Sequence, residues 1–221
     1  MEIEKYINDF KNQKLLLDYE TDGIVIKLNE LKYYDMLGQT QKFPHWAIAF
    51  KYEPNIAETK IKSIFVTIGR TGLVTYNCSL DPTQISGSIV EYATLNNYNY
   101  VKELNLNVND KVYVKKAGEI IPCIIGLVSH KNKIDVYPHI DKCPYCNSLL
   151  YNANNYLEEY CLNRNCLEIN KRKLIHFASK DCMNFFSMGE KIIDKFIQLG
   201  YLNSITDFYT LKEYCIINKI R

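Results

Sequence analysis

Four cysteines in two short knuckles constrain the fold of this chain more than any other feature of its sequence. Two residues separate Cys143 from Cys146, four separate Cys161 from Cys166, and fourteen lie between the pairs. This spacing brings four thiolates into a tetrahedral cage, the closed geometry of structural zinc. Because no coordination position stays open, we expect the metal to fold a small module. Two disulfides, unrelated buried thiols, or iron with four thiolates are the alternatives on spacing alone.

The overall composition constrains the class of protein less than the cysteines do. The chain has 221 residues, a formal net charge of +2 and 47% hydrophobic residues, which is typical of a globular protein whose basic surfaces are local. The longest apolar run, residues 120–128, is too short for a membrane span of about 20 residues. Since no basic-then-apolar leader follows Met1, we expect a cytoplasmic protein with no membrane segment.

Hydrophobic periodicity predicts an α+β protein in which helical and strand patterns occupy different segments of the chain. Helical spacing from Ile3 to Phe10 predicts a surface helix, and the apolar runs 24–26 and 46–50 predict two strands. Between residues 57 and 136, five short strands with Gly and Pro punctuation predict a small barrel of the OB type, with a β-sandwich fragment as the alternative. The expected strands are 64–68, 73–80, 88–92, 111–116 and 120–128.

Helices are expected after the cysteines. Residues 171–177 have helical character, and Ser187 with Glu190 three residues later fits a capping box that opens a second helix. Gly200 stands where that helix should end. One further helix is expected from Ile205 onward.

Two weaker patterns concern phosphate binding. Lys27 and Lys51 end apolar strands at the same phase and can direct ammonium groups at one phosphate, although a solvated lysine at a strand end is the more common case. Arg70 and Thr71 lie between two glycines in a predicted hairpin, and lysines recur further along the barrel at positions 111, 115, 116, 131 and 133. Such a set can follow a nucleic-acid backbone, or it can be a solvated strand edge.

The order and the sequences of these segments resemble those of the bacterial NAD-dependent DNA ligase family across essentially the whole chain. Residues 19–27, Tyr-Glu-Thr-Asp-Gly-Ile-Val-Ile-Lys, look like its nucleotidyltransferase motif IV, and residues 46–52 look like motif V. Residues 69–72 and 116–122 match two signatures of its OB domain, and the cysteines follow where its zinc module belongs. Five matches in the right order are far more specific than any one of them.

The resemblance implies a division into four parts and a set of functional residues. Residues 1–53 would be the C-terminal part of the nucleotidyltransferase (adenylation) domain, 54–138 the OB fold, 139–168 the four-cysteine zinc finger and 169–221 the start of a helix-hairpin-helix domain. The implied cofactors are NAD, zinc and Mg²⁺, and the implied partner is nicked double-stranded DNA. Phosphate and adenylate binding would fall to Lys27, Lys51, Asp22 and Gly23, and DNA contact to Arg70, Thr71 and Lys116.

The chain also departs from the family pattern. The nucleophilic lysine of Lys-x-Asp-Gly has no counterpart, since the comparable string is Glu20-Thr21-Asp22-Gly23. We therefore expect this chain alone to be inactive without the N-terminal ligase portion in trans, and the first 53 residues not to fold alone. Lysine or histidine replaces arginine at Lys14, Lys116 and His45, asparagine replaces histidine at Asn96, and Ser187 replaces a hairpin glycine.

Two other functions remain open on sequence grounds. The chain could be a DNA-binding OB and zinc module without catalysis. It could also belong to the ATP-dependent ligases or capping enzymes, which share the lysines of motifs IV and V, although the cysteine cluster argues against them.

Overall fold

The computed structural model describes residues 2–19, 21–53, 55–85, 87–117, 121–131 and 135–211. Its helices are α1 (Glu2–Gln13), α2 (Tyr34–Leu37), α3 (Tyr98–Glu103), α4 (Leu167–Ala178) and α5 (Glu190–Gln198), with 3₁₀ turns at Lys14–Leu16, Leu31–Tyr33 and Ile205–Tyr209. Its strands are β1 (Gly23–Lys27), β2 (Ala47–Lys51), β3 (Ile56–Ile68), β4 (Val74–Ile85), β5 (Ser88–Asn96), β6 (Lys111–Ala117), β7 (Ile121–Ser129), β8 (Leu150–Ala153) and β9 (Glu158–Cys161).

The N-terminal part consists of α1 and a two-stranded antiparallel sheet. Strand β1 pairs with β2 so that Gly23 faces Lys51 and Lys27 faces Ala47. A hydrogen bond from Tyr52 Oη to the Ile7 carbonyl, 2.6 Å long, ties α1 to the end of β2. Among the described residues before Thr59, no side chain is buried. This part has regular secondary structure but no core of its own.

Strands β3 to β7 form the OB barrel that the sequence predicts. The barrel is closed in the order β3-β4-β5-β7-β6, and only the β5–β7 pairing is parallel. Four alternate residues of β4 point inward and are at most 3% exposed, as the period-two pattern requires; they are Val74, Tyr76, Cys78 and Leu80. The closed barrel excludes the β-sandwich alternative.

Strand β3 is longer than expected, because it begins at Ile56 and not at 64. Its first part pairs with β6 and its second part with β4, with a register shift between Ile61 and Ser63. The shift interrupts the alternation of apolar and polar residues, which hid the first part from sequence analysis. A strand that pairs on both sides in this way is what closes the barrel.

Helix α3 was not expected from the sequence. The side chain of Asn97 accepts a hydrogen bond from the Tyr100 amide at 2.9 Å and caps the helix, and Val101 is fully buried in the barrel core. Six residues are too few to establish a helical period, so the cap was the only available signal.

The cysteine-bearing segment packs directly on the barrel. Its β8–β9 hairpin touches the β3–β4 turn through an antiparallel bridge between Leu73 and Tyr160. Cys143, Cys161 and Cys166 belong to the same buried cluster as the barrel core. A second cluster lies between α4, α5 and the residues after them and contains Leu174, Ala178, Ile193, Leu202 and Leu211.

The predicted capping box at Ser187 is wrong. Helix α5 begins at Glu190 with Gly189 as its N-cap, while Ser187 has a φ of +62°, in the left-handed region. Ser187 therefore occupies a conformation that favours glycine and does not cap the helix. The tertiary packing of Met188 beside this loop, in the second cluster, overrides the local pattern.

The other helix boundaries agree better with the sequence. Gly200, at φ +75°, follows the end of α5 as a helix stop should. The expected helix at Ile205 is a 3₁₀ turn, Ile205–Tyr209, with a capping box formed by Ser204 and Asp207. Residues 212–221 lie outside the described residues. No helix within the described ranges is both long and apolar enough to span a membrane.

Candidate functional site

The two cysteine knuckles are built by tight turns. In the first, the Asn147 amide donates to the Cys143 carbonyl at 2.9 Å, and Asn147 adopts a positive φ of 59° that asparagine tolerates. In the second, the Cys166 amide donates to the Asn163 carbonyl at 3.1 Å. Each turn directs two sulfur atoms toward the same point.

The four sulfur atoms have the spacing of a tetrahedral metal site. Sγ atoms of Cys143, Cys146, Cys161 and Cys166 all lie within 4.8 Å of one another. The pair Cys146–Cys161 is 3.5 Å apart and the pair Cys143–Cys166 is 4.0 Å apart. Metal–sulfur bonds of about 2.3 Å in a tetrahedron place sulfurs about 3.8 Å apart. The mutual approach of all four atoms favours a metal over two separate disulfides.

The surroundings of the sulfurs also fit a cation. Burial raises the pKa of the Cys161 and Cys166 thiols, because a thiolate loses hydration there. The hydrogen bond with Ser148 lowers the pKa of Cys146 to about 6. A buried set of thiolates is stable only with a positive charge among them, so the donor set suits a soft cation such as zinc.

Lys27 and Lys51 lie on one face of the β1–β2 sheet. Directly paired residues of antiparallel strands point to the same side, so Gly23, Lys51, Lys27 and Ala47 share a face. The lysines stand at opposite ends of that face, about 13 Å apart along the strands. Lys27 is exposed, and 63% of the Lys51 side chain is exposed. This face could receive an extended anionic ligand.

Asp22 forms an ion pair with Lys51. Its Oδ2 lies 2.8 Å from Lys51 Nζ. The hydrogen bond from Lys51 lowers the pKa of Asp22, so the carboxylate is ionised at neutral pH. Asp22 is therefore available as an anion next to one of the two lysines.

Gly23 stands in β1 directly opposite Lys51, and not in a turn. A Cβ atom at this position would lie 2.0 Å from the Phe50 carbonyl oxygen. The Asp-Gly pair of the motif therefore has a steric reason: only glycine allows β2 to approach this closely.

A cleft beside the ion pair includes residues that the sequence analysis gave no role. It has a volume of about 640 Å³ and is lined by the end of α1, Thr21, Tyr52 and Gly87. Lys14 Nζ lies 3.4 Å from the Thr21 carbonyl oxygen and 4.8 Å from the centre of the Tyr52 ring. Lys14 drew attention only as a departure from the family pattern, and its contact with Tyr52 had no sequence signal.

The structure places the predicted DNA-binding residues at two ends of β4. Arg70 and Thr71 are exposed at the tip of the β3–β4 hairpin. Lys116 Nζ donates to Ser88 Oγ at 2.8 Å, and Ser88 pairs with Ile85 at the other end of β4. The three residues do not form one cluster.

The barrel also has an outer groove that the sequence analysis did not single out. It has a volume of about 540 Å³, and Phe65 and Tyr92 meet in it edge to face at 6.4 Å. Thr67, Asn77 and Arg172 of α4 line it as well. The sequence did contain a signal for this groove. Phe65 and Asn77 alternate with buried residues of their strands, so their side chains point to the outer face of the barrel.

Two of the residues that depart from the family pattern, His45 and Asn96, have local structural roles. His45 Nδ1 lies 2.8 Å from the Leu37 carbonyl oxygen, so the ring is used within its own loop. Asn96 has a φ of +57° at the end of β5, which an asparagine adopts more easily than most residues.

Comparison with known proteins agrees with this architecture. The family model of the NAD-dependent DNA ligase adenylation domain matches residues 1–55, and that of the NAD-dependent DNA ligase OB-fold domain matches residues 58–135. A DNA ligase of Metamycoplasma arthritidis is 60% identical over 212 residues, which cover 96% of this chain and 32% of the relative.

Two further relatives are more distant. DNA ligases of Mycoplasmopsis pulmonis and Mesomycoplasma hyopneumoniae are 47% and 45% identical, again over 96% of this chain and over 31% and 30% of their own lengths. The chain thus spans about a third of the length of the curated relatives it matches. With two models of one family matched in order along the chain, this protein belongs to the NAD-dependent DNA ligase family.

Proposed function

We propose that this chain is the middle part of an enzyme that seals nicks between a 5′-phosphate and a 3′-hydroxyl in duplex DNA, in replication and repair. The observation that carries the proposal is the common face of Lys27 and Lys51, with the ionised Asp22 beside it. On this proposal the chain divides at residues 53, 138 and 168 into adenylation, OB, zinc and helix-hairpin-helix parts.

The face suits nucleotidyl transfer for an electrostatic reason. Transfer of an adenylyl group spreads negative charge over phosphate oxygens, and fixed cations stabilise that charge. In this proposal Lys27 and Lys51 hold phosphates of NAD and of the adenylate, and Gly23 allows the two strands to approach. Mg²⁺ would supply further charge neutralisation, with Asp22 as the nearby carboxylate that can organise it. The four-cysteine site would hold zinc as a structural ion.

The attacking lysine must come from elsewhere, because the family's Lys-x-Asp-Gly string is not in this chain. We propose that the N-terminal portion of a ligase completes the site in trans. Exposed apolar side chains on the face opposite the lysines support this: Ile48 is 67% exposed and Phe50 is 39% exposed. Large exposed apolar side chains that lie together mark a surface that another protein segment covers.

The decisive experiment mixes this chain with the N-terminal portion of one of its relatives and measures sealing of a nicked duplex. We expect sealing with NAD and not with ATP, and no covalent AMP on this chain alone. A Lys27→Ala chain should lose sealing in the mixture, while a Lys32→Ala chain, altered at another lysine outside the motif, should retain it. Covalent AMP on the isolated chain, or sealing that depends on ATP, would contradict the proposal.

A second function is favoured by the position of the core. Among the residues that the structure describes, burial begins at Thr59, so the barrel and cysteine module have a core of their own and could bind DNA without any catalytic partner. The chain alone should then bind nicked duplex with an affinity that falls steeply with salt. Replacing Arg70 by alanine should reduce the slope of log affinity against log salt by about 1. Strong salt-dependent binding by a chain that never supports sealing would favour this alternative.

A further inference from the structure

We propose that the metal centre positions the Gly69–Gly72 hairpin, and that Gly72 is the positioning residue through which it acts. The inference rests on the proposed function in one respect, namely that Arg70 and Thr71 at this hairpin contact DNA.

The first observation is a direct hydrogen bond between the two parts. The amide of Cys161, whose sulfur belongs to the metal site, donates to the Gly72 carbonyl oxygen at 2.8 Å. The neighbouring residues Leu73 and Tyr160 form an antiparallel bridge. The metal ligand is therefore hydrogen-bonded directly to the hairpin that carries Arg70, and only Thr71 lies between Gly72 and Arg70.

The second observation is the closeness of the two backbones. Gly72 has a φ of +87°, is buried, and a Cβ atom on it would lie 2.4 Å from the Cys161 carbonyl oxygen. At Gly69, the other glycine of the hairpin, the nearest atom would be 3.6 Å away. The need for glycine at position 72 thus comes from the cysteine module and not only from the turn.

The third observation is how the hairpin is held. Within it, the Gly69 amide donates to the Leu73 carbonyl and the Gly72 amide to the Gly69 carbonyl, each at 2.9 Å. Arg70 and Thr71 are exposed. These bonds fix the shape of the turn, and the buried pair Ile68–Val74 anchors its base in the barrel. The contact with Cys161 adds a hold on the Gly72 side of the turn, above that base.

A structural metal contributes its binding free energy to the folding of the segment that carries its ligands. If that segment orients the hairpin, metal binding and DNA binding must strengthen each other by the same factor, because coupling between two sites is reciprocal. Zinc would then improve DNA affinity through Gly72 and the hairpin.

Substitution at Gly72 has a matched control in the same chain. Gly38 also has a positive φ, +67°, but a Cβ atom there would meet nothing within 4 Å. Gly38, at φ 67° and ψ −168°, lies in a region that essentially only glycine adopts, so Gly38→Ala controls for a side chain placed at a positive φ. Only Gly72→Ala also pushes against Cys161. We expect the Gly72→Ala chain to bind zinc and nicked duplex at least about tenfold more weakly than the Gly38→Ala chain.

Hydrogen exchange of the unsubstituted full chain gives a test that needs no variant. Removal of the metal with a chelator should speed exchange of the Cys161 amide about tenfold, the effect of losing its hydrogen bond to Gly72. Exchange of the Gly69 and Gly72 amides should also speed up, because the hairpin loses its hold on one side. The amides of Ile85 and Ser88, at the other end of β4, serve as the internal control and should change little.

A spectroscopic measurement separates positioning from simple stability. In the cobalt-substituted chain, nicked duplex should shift the thiolate-to-cobalt absorption, and in the Gly72→Ala chain it should not. Should the Gly72→Ala chain fail to fold, which loss of protection at Ile85 and Ser88 would reveal, the chelator experiment decides the matter.

The inference would be overturned if chelation sped amide exchange equally at both ends of β4, or if it left exchange at the hairpin unchanged. A Gly72→Ala chain that binds zinc and duplex as tightly as Gly38→Ala would also overturn it. If the zinc-loaded chain binds no nicked duplex at all, the proposed function fails, while hydrogen exchange still decides whether metal and hairpin are coupled.

Discussion

Strands β1 and β2 expose large apolar side chains at Val25, Ile48 and Phe50, whereas β4 buries alternate residues from Val74 to Leu80. Both regions have well-formed antiparallel pairing. The difference is that the barrel closes around its own side chains, while the β1–β2 sheet has α1 beside it and no enclosed interior. Regular hydrogen bonding therefore does not by itself provide a core, and stability should reside mainly in the barrel and the cysteine module attached to it.

The largest effect is expected from the metal site. Replacing Cys143 by serine removes one of four ligands, so bound zinc should be lost and the segment from Cys143 to Cys166 should unfold, because metal binding drives its folding. Metal content per chain and hydrogen exchange of the β8 and β9 amides measure this. Cys182→Ser, at an exposed cysteine outside the cluster, should retain the metal. Full metal content in the Cys143→Ser chain would contradict the assignment.

Leucine-to-alanine substitutions in the barrel and in the N-terminal part test how much the burial of the two regions differs. Leu95 in β5 is 0% exposed, so Leu95→Ala should lower the free energy of unfolding by about 2 to 5 kcal/mol. Leu31, before α2, is 72% exposed, and Leu31→Ala should change it by about 0.5 kcal/mol or less. Denaturant unfolding measures both. Equal losses would show that the N-terminal part has a core after all.

A smaller effect is expected from relieving the backbone strain at Ser187. Ser187 holds a φ of +62°, so Ser187→Gly should stabilise the α4–α5 region by about 1 kcal/mol by removing the cost of a left-handed side-chain-bearing residue. Denaturant unfolding followed by hydrogen exchange in α5 is the measurement. Destabilisation would mean that the serine side chain has a role that outweighs the strain of its backbone.

The smallest effect concerns the exposed ion pair of the N-terminal part. The hydrogen bond from Lys51 keeps the folded-state pKa of Asp22 below its ordinary value, so this pair stabilises the sheet fully above that ordinary value and loses its effect as pH falls through the folded-state pKa. A carboxyl titration by NMR should show the pKa of Asp22 rising in a Lys51→Met chain. An unchanged pKa would mean that the ion pair does not persist in solution.

Several features of this protein could be predicted from short stretches of sequence. The alternation of Val74 to Leu80, the spacing of the four cysteines and the stop at Gly200 each encode a local property, such as which face is buried or where a turn occurs. The barrel and the clustering of the four cysteines were therefore predicted correctly. The roles of Lys27, Lys51 and Asp22 in binding NAD remain predictions.

Other features depended on residues far apart in the chain. The pairing of β3 with two strands, the approach of Gly72 to Cys161 and the left-handed Ser187 have no local signature, because each is imposed by a neighbour that sequence distance does not reveal. The sequence by itself determined which residues alternate, turn and can bind a metal. Only the tertiary structure decided which backbones meet, since close packing selects among local conformations of similar energy.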